Sequence, residues 1–460
     1  MTHRFMRFTV FASALFSQLL FAAPTPVHEF QLDNGLKILV KEDHRAPVVV
    51  SEVWYKVGAS YEPPGITGIS HALEHMMFKG TEKHKPGEFS KIISDNGGRE
   101  NAFTSRDYTG YYQQLERSRL PISFELEADR MRNLVITDEE FAKEIQVVME
   151  ERRLRVEDDP QSIAVEQFFA AAHVNSPYRV PVIGWMEDLK QMMSNDLKTW
   201  YQTWYAPNNA TLIVVGDVDP QAVYKLAQEH FGALKPSTIP PLKLRPELAQ
   251  KGTKRVTINL PAELPFIIFG YQAPSLKTAP EEWEAYALEV LAAVLDGGDS
   301  ARFATDLVRG SQIAAQADAG YSLYSRFDNL FTLDATPNRG KNIGEVEKAL
   351  REQVERIRKD PPTPDELERV KAQVVAQTVY EKDSIFYQAM QLGSVVTSGM
   401  DWRVVDQYLD KIRAVTATQV HQVANKYLRD ESLTIAQLKP IANGKRPPAS
   451  SGGAPQTILH

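Results

Sequence analysis

Apolar residues recur at helical spacing in some stretches of the chain and in short strand-like runs in others. In residues 137–155, Phe141, Ile145 and Val148 mark a buried stripe on a helix with an acidic start and strong helix formers. Residues 196–205 read as a helix that runs into a strand at 210–215, and residues 418–427 as a helix that leads into a strand at 432–436. Tyr205 and Tyr427 match across an offset of 222 residues, which suggests two distantly duplicated halves. Gly97 and Gly98, followed by Asn101-Ala-Phe-Thr-Ser105, read as a turn into a strand, on composition alone an ordinary hairpin. Four prolines within residues 236–246 suit an extended connection. The chain therefore divides into a first half at 24–235, a linker at 236–252 and a second half at 253–440. A Pro-, Gly- and Ser-rich tail at 441–460 is expected to be disordered.

The N-terminus has a different pattern. Arg4 and Arg7 precede an apolar run from Phe8 to Phe21, broken only by Thr9, Ser13, Ser17 and Gln18, and Ala22-Ala23 follow. This is the layout of a cleaved secretory signal peptide over residues 1–23, which predicts a periplasmic or secreted protein. A stable spanning helix needs about 20 apolar residues, so an uncleaved anchor is the weaker alternative. No later segment is long and apolar enough to span a membrane.

Composition narrows the function classes. A length of 460 residues exceeds one ordinary core, and 43% hydrophobic with 24% charged residues describes a globular chain. A net charge of −7 gives no footprint for nucleic acid or for anionic lipid. The absence of cysteine excludes disulfides, thiolate ligands and cysteine nucleophiles.

The candidate chemistry lies in His71-Ala-Leu-Glu-His75, a His-x-x-Glu-His motif. On a helix, residues i and i+4 project from one face, so the two imidazoles can share a metal while Glu74 reaches a water beside it. Two imidazoles and a neighbouring carboxylate are what a hydrolytic zinc site needs, in the inverted order of the inverzincin signature. A catalytic zinc takes three protein ligands and keeps one position open. Glu144 and Glu151, seven residues apart beside the apolar stripe of 137–155, share nearly one helix face, whereas Glu150 points elsewhere.

Several blocks in order resemble the pitrilysin and insulinase family of zinc metallopeptidases, in its short branch with mitochondrial processing peptidase and bacterial homologues. They are Phe30-Gln-Leu-Asp-Asn-Gly-Leu-Lys-Ile-Leu-Val40, the metal motif with its trailing Phe78-Lys-Gly-Thr81, the stretch 97–105, Tyr205-Ala-Pro-Asn-Asn-Ala210 and Val214-Val-Gly-Asp-Val218. The resemblance runs from about Phe30 to about Leu438. It implies an α+β fold of two similar halves, each an antiparallel-rich sheet packed with helices. It also implies one Zn2+ per chain held by His71, His75 and Glu151, with Glu144 supporting the site and Glu74 as the general base. Asn101, Ala102 and Phe103 fall on the strand to which family members add an extended peptide substrate, the mode called β-augmentation. The activity implied is hydrolysis of short or unfolded peptides. The alternative is a catalytically silent structural or substrate-presenting subunit, which would be expected to carry a broken metal motif.

One departure bears on partners. In many members the second half supplies an Arg and, seven residues later, a Tyr that bind substrate near the zinc. Here Arg309 is in place, but the tyrosine position holds Gln316, with Tyr321 and Tyr324 five and eight residues further on. The first half offers no obvious second donor for the charge that develops in the reaction. Heterodimers that divide these parts between related chains occur in the family, so a heterodimer is expected over a homodimer.

Overall fold

The computed structural model describes residues 26–441 except Leu244. The expected signal peptide and nearly all of the expected tail lie outside the described residues. The first half contributes β1 (Val27–Gln31), β2 (Lys37–Glu42), β3 (Val48–Tyr55), β4 (Arg99–Thr104), β5 (Thr109–Glu116) and β6 (Ala210–Gly216) to one sheet in the order β1-β2-β6-β3-β5-β4. The second contributes β7 (Lys254–Leu260), β8 (Phe266–Ala273), β9 (Ala314–Gly320), β10 (Asn329–Pro337) and β11 (Leu433–Pro440) in the order β7-β11-β8-β10-β9. Replacing β2 to β6 by β7 to β11 in turn converts the first order into the second, with only β1 left over. In both sheets the last strand runs parallel to the first of the set, and the remaining pairs are antiparallel. The helix-to-strand pairs read from the sequence are helix Ser194–Trp204 into β6 and helix Ala417–Tyr427 into β11.

Both faces of the central strands are buried. In β3, Val49, Val53 and Tyr55 join the core beneath helices Ile69–Met76, Leu120–Asn133, Asp138–Arg152, Ser194–Trp204 and Pro220–Phe231. Val50 and Trp54 turn to the other face, as period-two alternation requires. A strand covered on both sides needs apolar residues throughout, which accounts for the nearly unbroken run Val48-Val-Val-Ser-Glu-Val-Trp-Tyr55. Glu52, on the Trp54 face, is fully buried and accepts from Trp54 Nε1 at 2.7 Å; burial pushes its carboxyl up to about 8.

The covering of these second faces is exchanged between the halves. Helix Ile385–Thr397 of the second half lays Ala389, Leu392, Val395 and Val396 on the Trp54 face of the first sheet. Helix Pro160–Ala172 of the first half lays Ala164, Phe168 and Ala172 on Ile258, Phe266, Ile268, Leu330, Ala436 and Leu438 of the second. Each contact needs a glycine: a Cβ on Gly393 would lie 2.0 Å from the Trp54 ring, and one on Gly270 would lie 2.4 Å from the Phe168 ring. The Pro-rich connection is tied down at Glu247, whose carboxylate accepts the backbone N–H groups of Val174, Asn175 and Ser176. Filling the Gly393 contact should therefore strain a closed interface. Gly393→Val is expected to lower unfolding stability by about 1–3 kcal/mol, read from denaturant midpoints; an unchanged midpoint would mean that the helix does not dock this closely.

Candidate metal centre

Helix Ile69–Met76 starts at Gly68, whose φ of +86° and contacts require glycine: a Cβ there would lie 2.5 Å from the Ile183 carbonyl oxygen. Its first free N–H groups go to a remote carboxylate. Glu62 accepts from Gly68 N–H at 2.7 Å and from Ser70 N–H at 2.9 Å, so a buried acid caps the positive end of the helix. Ile69, Leu73 and Met76 face the core and leave His71, Glu74 and His75 toward helix Asp138–Arg152 and β4. That second helix is capped by Thr137, whose hydroxyl accepts from Glu140 N–H at 3.1 Å, and anchored by Phe141, Ile145 and Val148.

The packing brings His71, His75 and Glu151 together, with one ligand atom from each within 4.8 Å of the others. Glu151 Oε2 lies 3.2 Å from His75 Nε2 and 3.7 Å from His71 Nε2. Ligands of a tetrahedral zinc at 2.0–2.1 Å are about 3.3 Å apart, so the set fits that ion. The atoms behind the ligands also fit. His75 Nδ1 lies 3.0 Å from Glu144 Oε1, which fixes the ring and turns the Nε2 lone pair toward Glu151. Lys79 Nζ holds the other Glu144 oxygen at 2.5 Å, and Arg155 Nη1 holds Glu151 Oε1 at 2.6 Å. His71 Nδ1 is buried without a hydrogen-bond partner among the described residues, so packing sets that ring. Glu150 faces away and pairs with Arg153. Among the described residues, these three form the metal-ligating group.

The electrostatics suit a cation. Burial and the neighbouring His75 push His71 down to about 4, so its imidazole is neutral at pH 7. Burial also opposes charge on His75, but hydrogen bonds to Glu144 and Glu151 outweigh it and raise its value to about 9. Burial would raise Glu151, yet His75, His71 and Arg155 hold it down to about 2. Burial pushes Glu74 up to about 7 against the opposing hydrogen bond from Thr104.

Among the described residues, β4 is the edge strand of the first sheet and pairs only with β5. Asn101 on it is exposed, Ala102 packs partly against the core under the metal helix, and Phe103 turns to the opposite face. There the Phe103 ring meets Trp54 edge-on at 4.8 Å, so what β4 offers an incoming chain at Phe103 is backbone. Arg309 lies exposed in the second half and donates to the Asp299 carbonyl. Gln316 is on β9, the edge strand of the second sheet, and donates to Asp318 at 2.9 Å. The tyrosines after it are committed elsewhere: Tyr321 donates to the Pro274 carbonyl at 2.5 Å, and Tyr324 packs against the cores of both halves. The first half brings one cation to the cluster, Arg155, which holds Glu151 Oε1 and lowers both His71 and Glu74 through its charge. Glu62, Lys79, Thr104 and Arg155 escaped the sequence reading. Arg155 follows Glu151 at i+4 and could have been found from that spacing, whereas Lys79 lies past the end of helix Ile69–Met76 and pairs with Glu144 on another helix. Thr104 and Glu62 carry no such signal.

Comparison with known proteins identifies the family. Residues 37–184 match the family described as Insulinase (Peptidase family M16), and residues 192–374 match its companion, described as Peptidase M16 inactive domain. The zinc protease PqqE of Helicobacter pylori is 31% identical over 421 residues, covering 90% of this chain and 93% of that one. An uncharacterized zinc protease, YmxG of Bacillus subtilis, is 25% identical and covers 91% of this chain and 99% of its own. A crystal structure of a protease from Helicobacter pylori superposes with a TM-score of 0.86 at 30% identity, covering 90% of this chain and all of that one (100%). The periplasmic protease PqqL of Escherichia coli shares the fold, with a TM-score of 0.74 at 19% identity over 91% of this chain and 48% of its own. The chain belongs to peptidase family M16, the insulinase family. The family and the two-sheet α+β architecture expected from sequence are both borne out.

Two outcomes follow for metal uptake. Glu144→Ala frees the His75 ring, and zinc affinity is expected to fall about 10- to 100-fold in competition with a chromophoric chelator; an unchanged affinity would remove Glu144 from the site. A metal ion must displace the His75 proton, which is held below about pH 9 and absent above it. Apparent zinc affinity should therefore rise with pH, by up to about tenfold per unit, and level off near 9. A profile flat from pH 6 to 9 would contradict the assignment.

Proposed function

We propose that the chain is a zinc-dependent endopeptidase that hydrolyses extended or unfolded peptides, with one Zn2+ per chain on His71, His75 and Glu151. The observation that carries this reading is the convergence of the three ligand atoms with Glu74 beside an open strand edge. When bound, zinc supplies Lewis acidity toward a carbonyl oxygen and acidifies water to a pKa of about 7. The protein's own groups do the rest. Glu74 takes the proton of the attacking water and returns it to the leaving amine, a role its burial prepares by raising its carboxyl toward neutral pH. Glu144 keeps the His75 ring in place, and Arg155 keeps Glu151 Oε2 turned toward the histidines. β4 adds an extended peptide as a further strand through its backbone at Asn101, Ala102 and Phe103, which accepts varied side chains and excludes folded chains.

A partner chain belongs to this reading. Gln316 stands where a tyrosine is expected, and Tyr321 and Tyr324 are held in the core, which supports a related second chain that completes the substrate site beside Arg309. A heterodimer is favoured over a homodimer on that ground. A periplasmic or secreted location is the reading of the N-terminal apolar run. Among the described residues, no helix is long and apolar enough to cross a membrane.

The test is hydrolysis of a quenched peptide library by the zinc-loaded chain, beside its Glu74→Gln variant. The variant is expected to keep its zinc and lose about 10²- to 10⁴-fold in kcat. Zinc uptake without any cleavage, with and without related chains, would favour the structural-subunit alternative.

A further inference from the structure

The base is not held by its own helix alone. Thr104 Oγ1, at the end of β4, donates to Glu74 Oε2 at 2.5 Å across 30 residues of sequence. We infer that Thr104 is a positioning residue of the reaction, its hydroxyl fixing the orientation of the Glu74 carboxylate relative to the strand on which the peptide lies. The inference rests on Glu74 acting as the base.

The hydroxyl is itself well anchored. A β-branched side chain has few χ1 options, and Thr104 pairs with Thr109 at the closed end of the β4–β5 hairpin. Thr109 donates to the Val57 carbonyl at 2.9 Å, Ser105 N–H to the Tyr108 carbonyl at 2.8 Å, and Ala59 N–H to the Ser105 carbonyl at 3.1 Å. This end of β4 is thus fastened to the segment that leads into the metal helix, while Asn101, three residues back, is exposed. A glutamate has three side-chain torsions, and without the hydroxyl its carboxylate would spread over several orientations. With Oε2 held, Oε1 is the atom turned to the proton. One strand then does two jobs: its open stretch receives the backbone of the peptide, and its closed end sets the base at a fixed offset from that backbone. Misplacement of a reacting group by about 1 Å costs on the order of 10²-fold in rate, so one hydrogen bond can matter this much.

The experiment compares Thr104→Val, Thr104→Ala and Thr104→Ser in the full-length zinc-loaded protein. For Val and Ala, kcat is expected to fall about 10- to 100-fold with KM within about twofold of the parent. Zinc content should be unchanged. Ser keeps the hydroxyl and should restore most of kcat. Binding of a fluorescent peptide by Glu74→Gln should be the same with and without Thr104→Val, and Thr104→Val should add no further loss of rate in that background. A raised KM or weakened peptide binding would overturn the inference in favour of a role in holding the strand. An equal loss in both backgrounds, or failure of Ser to rescue, would overturn it too. If Glu74→Gln alone leaves cleavage intact, the reading of Glu74 fails, an outcome seen without any Thr104 variant.

Discussion

The metal centre depends on how closely helix Ile69–Met76 packs against helix Asp138–Arg152. Two ligands ride on one helix and the third on the other, and the distances that matter, 3.2 and 3.7 Å, leave little room for slippage. Zinc tolerates deviations of about 0.2 Å in ligand distance, so the core under both helices has to be rigid. Leu73, Met76, Ile145 and Val148 are all buried in one continuous core, and close-packed interiors of this kind do not deform smoothly. Polar groups set the remaining freedom. Glu62 and Gly68 fix where the first helix begins, Thr137 fixes the start of the second, and Glu144 turns the His75 ring. Without that packing, Glu144 and Glu151 would be ordinary solvated acids on a helix surface.

The duplicated architecture gives this centre its setting. Five strands of each sheet follow the same order, and each half contributes a helix to the cover of the other's second face. The exchange makes the halves mutually dependent, because separating them would expose Trp54 on one side and Phe168 on the other, both fully buried. Only the first half combines the strand order with a His-x-x-Glu-His helix. Both sheets end on an edge strand, β4 in one and β9 in the other, but β4 ends at the residue that touches Glu74.

Much of the site was legible in the sequence because it follows helical periodicity. His71 and His75 at i and i+4, and Glu144 and Glu151 two turns apart beside an apolar stripe, are one-dimensional patterns with a three-dimensional meaning. The choice of Glu151 as ligand and Glu144 as support needed the family resemblance; the structure then placed Glu151 against both imidazole Nε2 atoms and Glu144 against Nδ1. The contacts of Glu62 and Thr104 were illegible, since nothing local marks which carboxylate caps a helix or which hydroxyl meets a side chain 30 residues away. The exchanged helices were illegible for another reason. Ala164, Phe168, Leu392 and Val396 are apolar residues that any core would accept, and only topology decides whose core they enter.

The central claim is that His71, His75 and Glu151 hold one zinc ion. Anomalous diffraction from crystals of the zinc-loaded protein, collected on both sides of the zinc absorption edge, tests it most directly. The account predicts a single strong peak about 2.0–2.2 Å from His71 Nε2, His75 Nε2 and a Glu151 carboxylate oxygen, with Glu144 still on His75 Nδ1. A well-ordered structure with no peak there, or with zinc bound only at other residues, would contradict it.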